Sequence, residues 1–309
     1  FDTVLGHSRG LQQVIQLARK VAVTDVPVLL TGETGTGKEV FAQAIHNGSA
    51  RAKQPFVAIN CSAFSKELLE SEIFGHKAGA FTGALKDKKG LFEEANHGTI
   101  FLDEIGEMAY GLQAKLLRVL ETGEYIKVGD TKPTKIDVRI VSATNRNLKE
   151  EIANSNFRED LYFRLSVFHL HLPPLRERRE DIPELAAAFL KFFAAKMGKQ
   201  VKGFAADCQA WMQSYAWPGN VRELRNVIER ALIICDDYIT LDDMPLDFRS
   251  STLSGSAADG DDFELAEAEH RHIQRVLQYT KGNKAEAARL LKIGLTTLYR
   301  KIEEYGINI

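Results

Sequence analysis

Residues 31–39, TGETGTGKE, constrain the fold of this 309-residue chain more than any other stretch. They lie between the apolar run PVLLTG (27–32) and GKEVFAQAIHN (37–47), where Val40, Phe41, Ala44 and Ile45 recur at helical spacing. A strand that enters a glycine-rich loop and leaves as a helix at a lysine is the context of a phosphate-binding loop. Three more apolar, strand-like runs follow: FVAIN (56–60), TIFLDE (99–104) and VRIVSATN (138–145). Continuous apolar strands separated by helical segments predict an α/β fold, a parallel sheet covered on both faces. PPLRER (173–178) closes this region, and residues 181–244 are helical only, a small all-α unit. Residues 249–262 have the Ser, Gly and Asp content of a linker, and 263–309 read as helices again. The expected division is therefore 1–176, 177–248, a linker at 249–262, and 263–309.

Gly32, Gly35 and Gly37 let backbone N–H groups converge on phosphate oxygens, and the helix starting near Lys38 adds the positive end of its dipole. Glu33, Thr34 and Thr36 complete the loop, and Lys38 would reach the β- and γ-phosphates of a bound nucleotide. Glu39 stands where the general pattern has Ser or Thr to ligate Mg²⁺, so the metal needs another carboxylate or water. Asp103 and Glu104, ending an apolar strand, supply one: Asp103 would orient Mg²⁺, directly or through water, and Glu104 would polarise the attacking water. Thr144 and Asn145 end the next strand, where parallel strands bring their C-termini beside the phosphates; they would hydrogen-bond the γ-phosphate or the water. The bland alternatives are a glycine-rich turn with a chance lysine, a carboxylate turn and a polar strand cap. Their joint occurrence in this order argues against them.

Composition limits the rest. A net charge of −2 argues against a protein that coats nucleic acid by bulk charge and leaves room for a local basic patch. Cys61, Cys208 and Cys235 are far apart with no C-x-x-C spacing, which reads as reduced thiols rather than a disulfide frame or zinc site. No run approaches 18 apolar residues. The chain opens on Phe1 rather than Met, as a fragment would. One segment fits no periodicity: Gly79, Ala80, Phe81, Thr82, Gly83 and Ala84, five small residues around one aromatic.

GETGTGKE, GAFTGA, FLDE, FREDLYFRL, PPLRERREDI, WPGNVREL and a C-terminal helix-turn-helix occur in this order. Together they resemble the bacterial enhancer-binding proteins, the sigma-54-dependent transcriptional activators of the AAA+ class, over essentially the whole chain. The resemblance implies an AAA+ α/β subdomain, a helical lid and a Fis-type DNA-binding domain. It accounts for Glu39, since that family carries Glu after the lysine. It implies that Asn60 restrains the catalytic Glu104, and that Arg158 and Arg164 are arginine fingers reaching the nucleotide of a neighbouring subunit. Without it, both arginines would read as surface ion pairs. It further makes Arg222 the lid's phosphate sensor, Leu5 and Gly6 part of the adenine-binding segment, and 79–84 the loop that contacts sigma-54. Two departures stand out: His97 where a glycine is usual, expected to face solvent, and the varied hairpin YIKVGDTKP.

GNKAEAARLLKIGLTTLYRKIEEYGI (282–307) has the pattern of a helix-turn-helix, with Asn283 as N-cap and Ala285, Ala287, Ala288 and Leu291 between the helices. A second helix over about 295–305 would turn Leu298 and Ile302 inward and present Thr296, Thr297, Arg300 and Lys301, with Lys284, to double-stranded DNA. Residues 263–309 hold eight Lys or Arg against six Asp or Glu, too small an excess to hold DNA alone. A dimer is therefore expected, with Leu265, Ile273, Val276 and Leu277 as its candidate contact. The family's turn glycine is replaced by Lys292, and Gly294 is expected to take over its role.

The reading is an ATP-driven activator of sigma-54 RNA polymerase, hexameric by resemblance, in the bacterial cytoplasm, with an upstream receiver or ligand-sensing domain common in the family. Two rivals remain: an AAA+ motor acting on DNA or protein, which has no reason to carry GAFTGA, and a sigma-70-type regulator with a degenerate ATPase, which would lack the loop or the carboxylates.

Overall fold

The computed structural model describes residues 1, 3–245 and 269–305, without 271, 275, 278, 279 and 281. The expected linker at 249–262 and Leu265 lie outside the described residues. The chain divides into a unit of residues 1–249 and a unit of residues 250–309.

In the first unit the strands are β1 (Val28–Thr31), β2 (Phe56–Asn60), β3 (Thr99–Asp103), β4 (Glu124–Ile126), β5 (Pro133–Lys135), β6 (Arg139–Thr144) and β7 (Phe168–His171). Five of them form a parallel sheet in the order β2-β3-β6-β1-β7. β6 is buried along its whole length, while β7, at the edge, buries only Leu170. Alternation along each strand divides the apolar residues between two cores. Leu29, Ile100, Leu102 and Ile140 face one side; Val28, Leu30, Phe101, Val141 and Ala143 face the other, under the helices Arg9–Ala22 and Lys38–Asn47. The register places Thr31 beside Thr144 and Asn60 beside Asp103, so the polar strand ends converge on one edge. β4 and β5 form a separate antiparallel hairpin.

Arg139 opens β6 and is 2% exposed; its guanidinium donates to the carbonyls of Ala22 at 2.7 Å and Val21 at 2.9 Å. Both carbonyls lie at the C-terminus of the first helix, where a cation is favoured, and that of Val21 also accepts from the Thr24 hydroxyl at 2.8 Å.

The helices Ile182–Met197, Ala206–Ser214 and Asn220–Ile234 form the lid. Its core holds Phe193, Trp217, Leu224 and Ile228, and the short strands β8 (Gly203–Phe204) and β9 (Tyr238–Ile239) pair beside it. Trp217 Nε1 donates to the Met212 carbonyl at 2.7 Å, which satisfies the indole inside that core. All three cysteines are buried and unpaired, and burial pushes the thiols of Cys61 and Cys208 up to about 12.

In the second unit, Ile273, Leu277, Ala287, Ala288 and Leu298 form one small core, with Val276 and Ile302 packed against it. Ile273, Val276 and Leu277, expected as dimer contacts, are thus used inside the unit. The helices Lys284–Leu290 and Leu295–Glu304 carry the helix-turn-helix pattern, and Asn283 Oδ1 caps the first by accepting the Glu286 N–H at 3.3 Å.

Candidate functional site

The loop 32–37 rises from β1 and turns into the helix Lys38–Asn47 through left-handed glycines, Gly35 at φ 81° and Gly37 at φ 104°. Gly35 has a second constraint: a Cβ there would overlap the carbonyl oxygen of Gly219, so only glycine lets the loop meet the lid. A cavity of about 280 Å³ lies between this loop, the strand ends and the lid, lined by Gly35, Gly37, Lys38, Glu39, Asn60, Asp103, Glu104 and Arg222. Val40, placed by periodicity with the core face of its helix, is 43% exposed and lines this cavity instead.

Lys38 is buried, and its ammonium donates to the carbonyls of Gly32 at 2.8 Å and Glu33 at 3.2 Å. Burial holds its pKa below the ordinary lysine value, against the pull of Glu104 and Asp103. Glu104 takes a left-handed backbone, φ 51° and ψ 48°, uncommon for a residue with a Cβ. Its N–H is held by Asp103 Oδ1 at 3.0 Å, and its Oε2 accepts the Asn145 N–H at 3.4 Å. Asn145 Nδ2 donates to Thr34 Oγ1 at 2.9 Å. The backbone N–H of Arg222, in the first turn of Asn220–Ile234, donates to the Gly35 carbonyl at 3.3 Å.

Several expected residues are placed differently. Thr144 is fully buried, and its hydroxyl accepts the Arg146 N–H at 3.0 Å; it shapes the turn after β6 and does not face the cavity. Asn60 does not hold Glu104. Its Oδ1 caps the short helix Cys61–Ala63, accepting from Ser62 N at 2.8 Å and Ser62 Oγ at 2.7 Å. A local bond two residues away outcompetes the cross-strand one. Leu5 packs on the lid core, Gly6 abuts Leu11 and Asp181, and neither lines the cavity. The Thr36 hydroxyl closes on the Glu33 carbonyl at 2.8 Å. Arg158 makes two bonds to Asp160, at 2.8 and 3.0 Å, and Arg164 lies 3.7 Å from Glu121; neither lines this chain's own cavity.

The sequence reading missed the clamp on Glu33. Arg176 grips both carboxylate oxygens, at 2.6 and 2.8 Å, and Asn220 Nδ2 adds a bond at 3.1 Å. Arg176 and then Asn220 draw the Glu33 carboxyl down to about 2. Arg178, from the same PPLRER segment, is buried and donates to the Thr36 carbonyl at 2.9 Å. The arginines of PPLRER and the acidic residue of the loop are each visible in the sequence, but 143 residues separate Arg176 from Glu33 and nothing in the sequence pairs them.

In the segment 79–84, Phe81 is 42% exposed, and its ring meets His76 edge-on at 4.9 Å. The tip is closed by the Gly79 N–H on the Ala84 carbonyl at 2.7 Å, with Gly79 and Gly83 at φ 81° and 102°. Lower down, Asp87 binds Lys77 Nζ at 3.0 Å and the Ala78 N–H at 2.9 Å. The tip is thus an ordered turn with one aromatic face to solvent. His97 is exposed at φ 66°, which explains why a glycine suits that position.

On the second unit, Thr296 and Arg300 are exposed, and Thr297 is half-buried. Lys301 is not on that face: one turn from Leu298, it pairs with Glu269, which also accepts from Tyr305. Lys284 lies over the ring of Tyr299, which is 50% exposed and was not singled out from the sequence. Lys292 takes the left-handed turn itself, φ 51°, while Gly294 is extended at φ −66°; the expected substitution of one for the other does not occur.

Family models match in the same order: a sigma-54 interaction domain over residues 4–171, an AAA+ ATPase lid domain over 176–260, and a bacterial regulatory protein of the Fis family over 264–305. The chain belongs to the sigma-54-dependent transcriptional activators. It is 47% identical over 307 residues to the alginate biosynthesis transcriptional regulatory protein AlgB of Pseudomonas aeruginosa, covering 99% of this chain and 68% of that protein. It is 41% identical to the DNA-binding transcriptional regulator NtrC of Escherichia coli, covering 99% and 70%. The structure of NtrX from Brucella abortus in complex with ATP matches with a TM-score of 0.76 at 36% identity, over 98% of this chain and 70% of that one. Hsp104, at 16% identity and a TM-score of 0.52, shares the fold alone. The activator therefore has an AAA+ ATPase-type unit with a helical lid and a Fis-type DNA-binding domain. No helix among the described residues is long and apolar enough to cross a membrane.

Proposed function

We propose that this activator binds and hydrolyses ATP with Mg²⁺ in the cavity between sheet and lid, and uses the cycle to drive residues 79–84 against sigma-54 RNA polymerase in the bacterial cytoplasm. The carrying observation is the convergence of Lys38, Asp103, Glu104 and Arg222 on that one cavity, under a loop whose glycines expose backbone N–H groups. The residues fit the substrate. The loop offers donors and a buried cation to the phosphates, and the Asp103 carboxylate offers a hard oxygen ligand that Mg²⁺ prefers. The metal, when bound, neutralises charge on the β- and γ-phosphates.

Lys38 leaves its carbonyl partners to pair with the phosphates. Glu104 accepts a proton from the attacking water, and Asn145 orients the same region through its bonds to Glu104 and Thr34. Arg222 reports the phosphates to the lid helix whose first turn it occupies. Arg158 and Arg164, which do not line their own cavity, act on a neighbouring copy in a hexameric ring, where a guanidinium supplied in trans stabilises transition-state charge. Asn60 exchanges Ser62 for Glu104 in another nucleotide state. Thr296, Thr297, Arg300 and Lys284 face an enhancer site on double-stranded DNA, bound as a dimer. Residues 1–176, 177–248, 249–262 and 263–309 serve as motor, lid, linker and DNA reader.

Thr82→Ala tests the coupling. ATP turnover and DNA binding should stay near wild type while open-complex formation with purified sigma-54 polymerase is lost. Transcription at the wild-type level would refute the assignment of this loop as the output.

A further inference from the structure

Hydrogen bonds connect the carboxylate of Glu104 to the entry of the lid helix, and Thr34 is their middle member. Glu104 Oε2 accepts the Asn145 N–H at 3.4 Å, and Asn145 Nδ2 donates to Thr34 Oγ1 at 2.9 Å. The Thr34 carbonyl accepts Asn220 Nδ2 at 3.0 Å, and Asn220 Oδ1 accepts the Leu175 N–H at 2.7 Å. Thr34 thus faces the strand end with its hydroxyl and the lid with its carbonyl. The carbonyl bond fixes the residue in place, because Asn220 is fully buried and held at both ends of its amide.

Two features give the hydroxyl a task. Asn145 is exposed, so its amide has freedom to lose, and Thr34 Oγ1 is the partner that orders it. The bond from the Asn145 N–H to Glu104 is at the long end of hydrogen-bond range, so a small shift of Asn145 breaks it. Phosphate binding by such a loop uses backbone N–H groups and the lysine, which leaves the side chain of Thr34 free for another role.

We propose that Thr34 is a positioning residue for ATP hydrolysis: its hydroxyl fixes Asn145 and, through Asn145, the Glu104 carboxylate. This rests on the reading that Glu104 activates water for hydrolysis. Thr34 does not touch the reacting atoms; it sets the direction from which the carboxylate meets them.

The test uses Thr34→Val and Thr34→Ser in the full chain, at a concentration where turnover per chain no longer rises. Valine keeps the branched shape and removes the hydroxyl. We expect kcat to fall about three- to ten-fold, the range one hydrogen bond supports, with ATP Kd unchanged within about two-fold. Serine should recover most of that loss. In a background of Asn145→Ala, Thr34→Val should add no further loss, because the two residues act as one unit. Three outcomes overturn the proposal: a valine variant with wild-type kcat, one with raised Kd and KM at unchanged kcat, or losses that multiply with Asn145→Ala. A wild-type chain without ATP turnover would overturn the hydrolysis reading, and this proposal with it.

Discussion

Replacing Asn220 isolates how the lid is locked to the phosphate loop. The residue is 0% exposed at φ 53°, a conformation that Asn tolerates and Ala does not. Its Oδ1 accepts the N–H of buried Leu175 at 2.7 Å, and its Nδ2 serves Glu33 and Thr34. Asn220→Ala leaves the Leu175 N–H without a partner away from water, which costs about 1–3 kcal/mol. The exposed side of the loop is hydrated, so the Thr34 and Glu33 acceptors add little. The left-handed backbone adds about 1 kcal/mol for Ala, for a total of about 2–4 kcal/mol. Asn220→Gly loses the same hydrogen bonds without the backbone term, so it should be more stable than Ala by about 1 kcal/mol. In calorimetry of the full chain, the transition of the larger unit should drop by about 4–16 °C for Ala, at about 2–4 °C per kcal/mol. The glycine variant should melt about 2–4 °C above it. Identical melting of the two variants would refute the backbone argument, and wild-type melting of both would refute the hydrogen-bond argument.

Glu104→Gln should abolish ATP turnover while a fluorescent ATP analogue still binds, since Lys38 and the loop backbone are untouched; near-normal turnover excludes Glu104 as the proton acceptor. Arg139→Met should lower the unfolding free energy in urea by about 1–3 kcal/mol, because the carbonyls of Val21 and Ala22 lose charged donors. A variant as stable as wild type would mean that desolvation of the buried guanidinium outweighs those bonds. The Arg176–Glu33 pair gives a pH signature. The Glu33 carboxyl sits at about 2, below its ordinary 4.5, so its contribution is present above about pH 4.5 and lost as pH falls towards 2. Arg176→Ala should return that titration towards 4.5 and move the onset of acid unfolding to higher pH, followed by circular dichroism between about pH 5 and 2; an unchanged onset would remove the clamp from the lid's stability.

The parallel sheet and the phosphate loop were legible in the sequence because their signals are local. A buried strand spells a continuous apolar run, and a loop that must approach the lid closely spells glycine at Gly35. What was not legible depends on competition between partners. Asn60 reads as a restraint on Glu104 until Ser62, two residues away, is seen to take its oxygen. Thr144 stands at the right strand end but belongs to its own turn. Lys301 falls on the inner side of its helix, where the distant Glu269 holds it, and no spacing rule displays a partner 32 residues away. The clamp on Glu33 has the same character at larger separation, with Arg176 143 residues and Asn220 187 residues along the chain. Loop and lid therefore share a carboxylate that neither segment identifies alone. A lid that moves in response to phosphate must break or carry with it the bonds of Arg176 and Asn220 to Glu33. With the bonds of Asn220 to Thr34, Arg178 to Thr36 and Arg222 to Gly35, that clamp contributes to the free energy that differential nucleotide contacts would have to supply to move the lid.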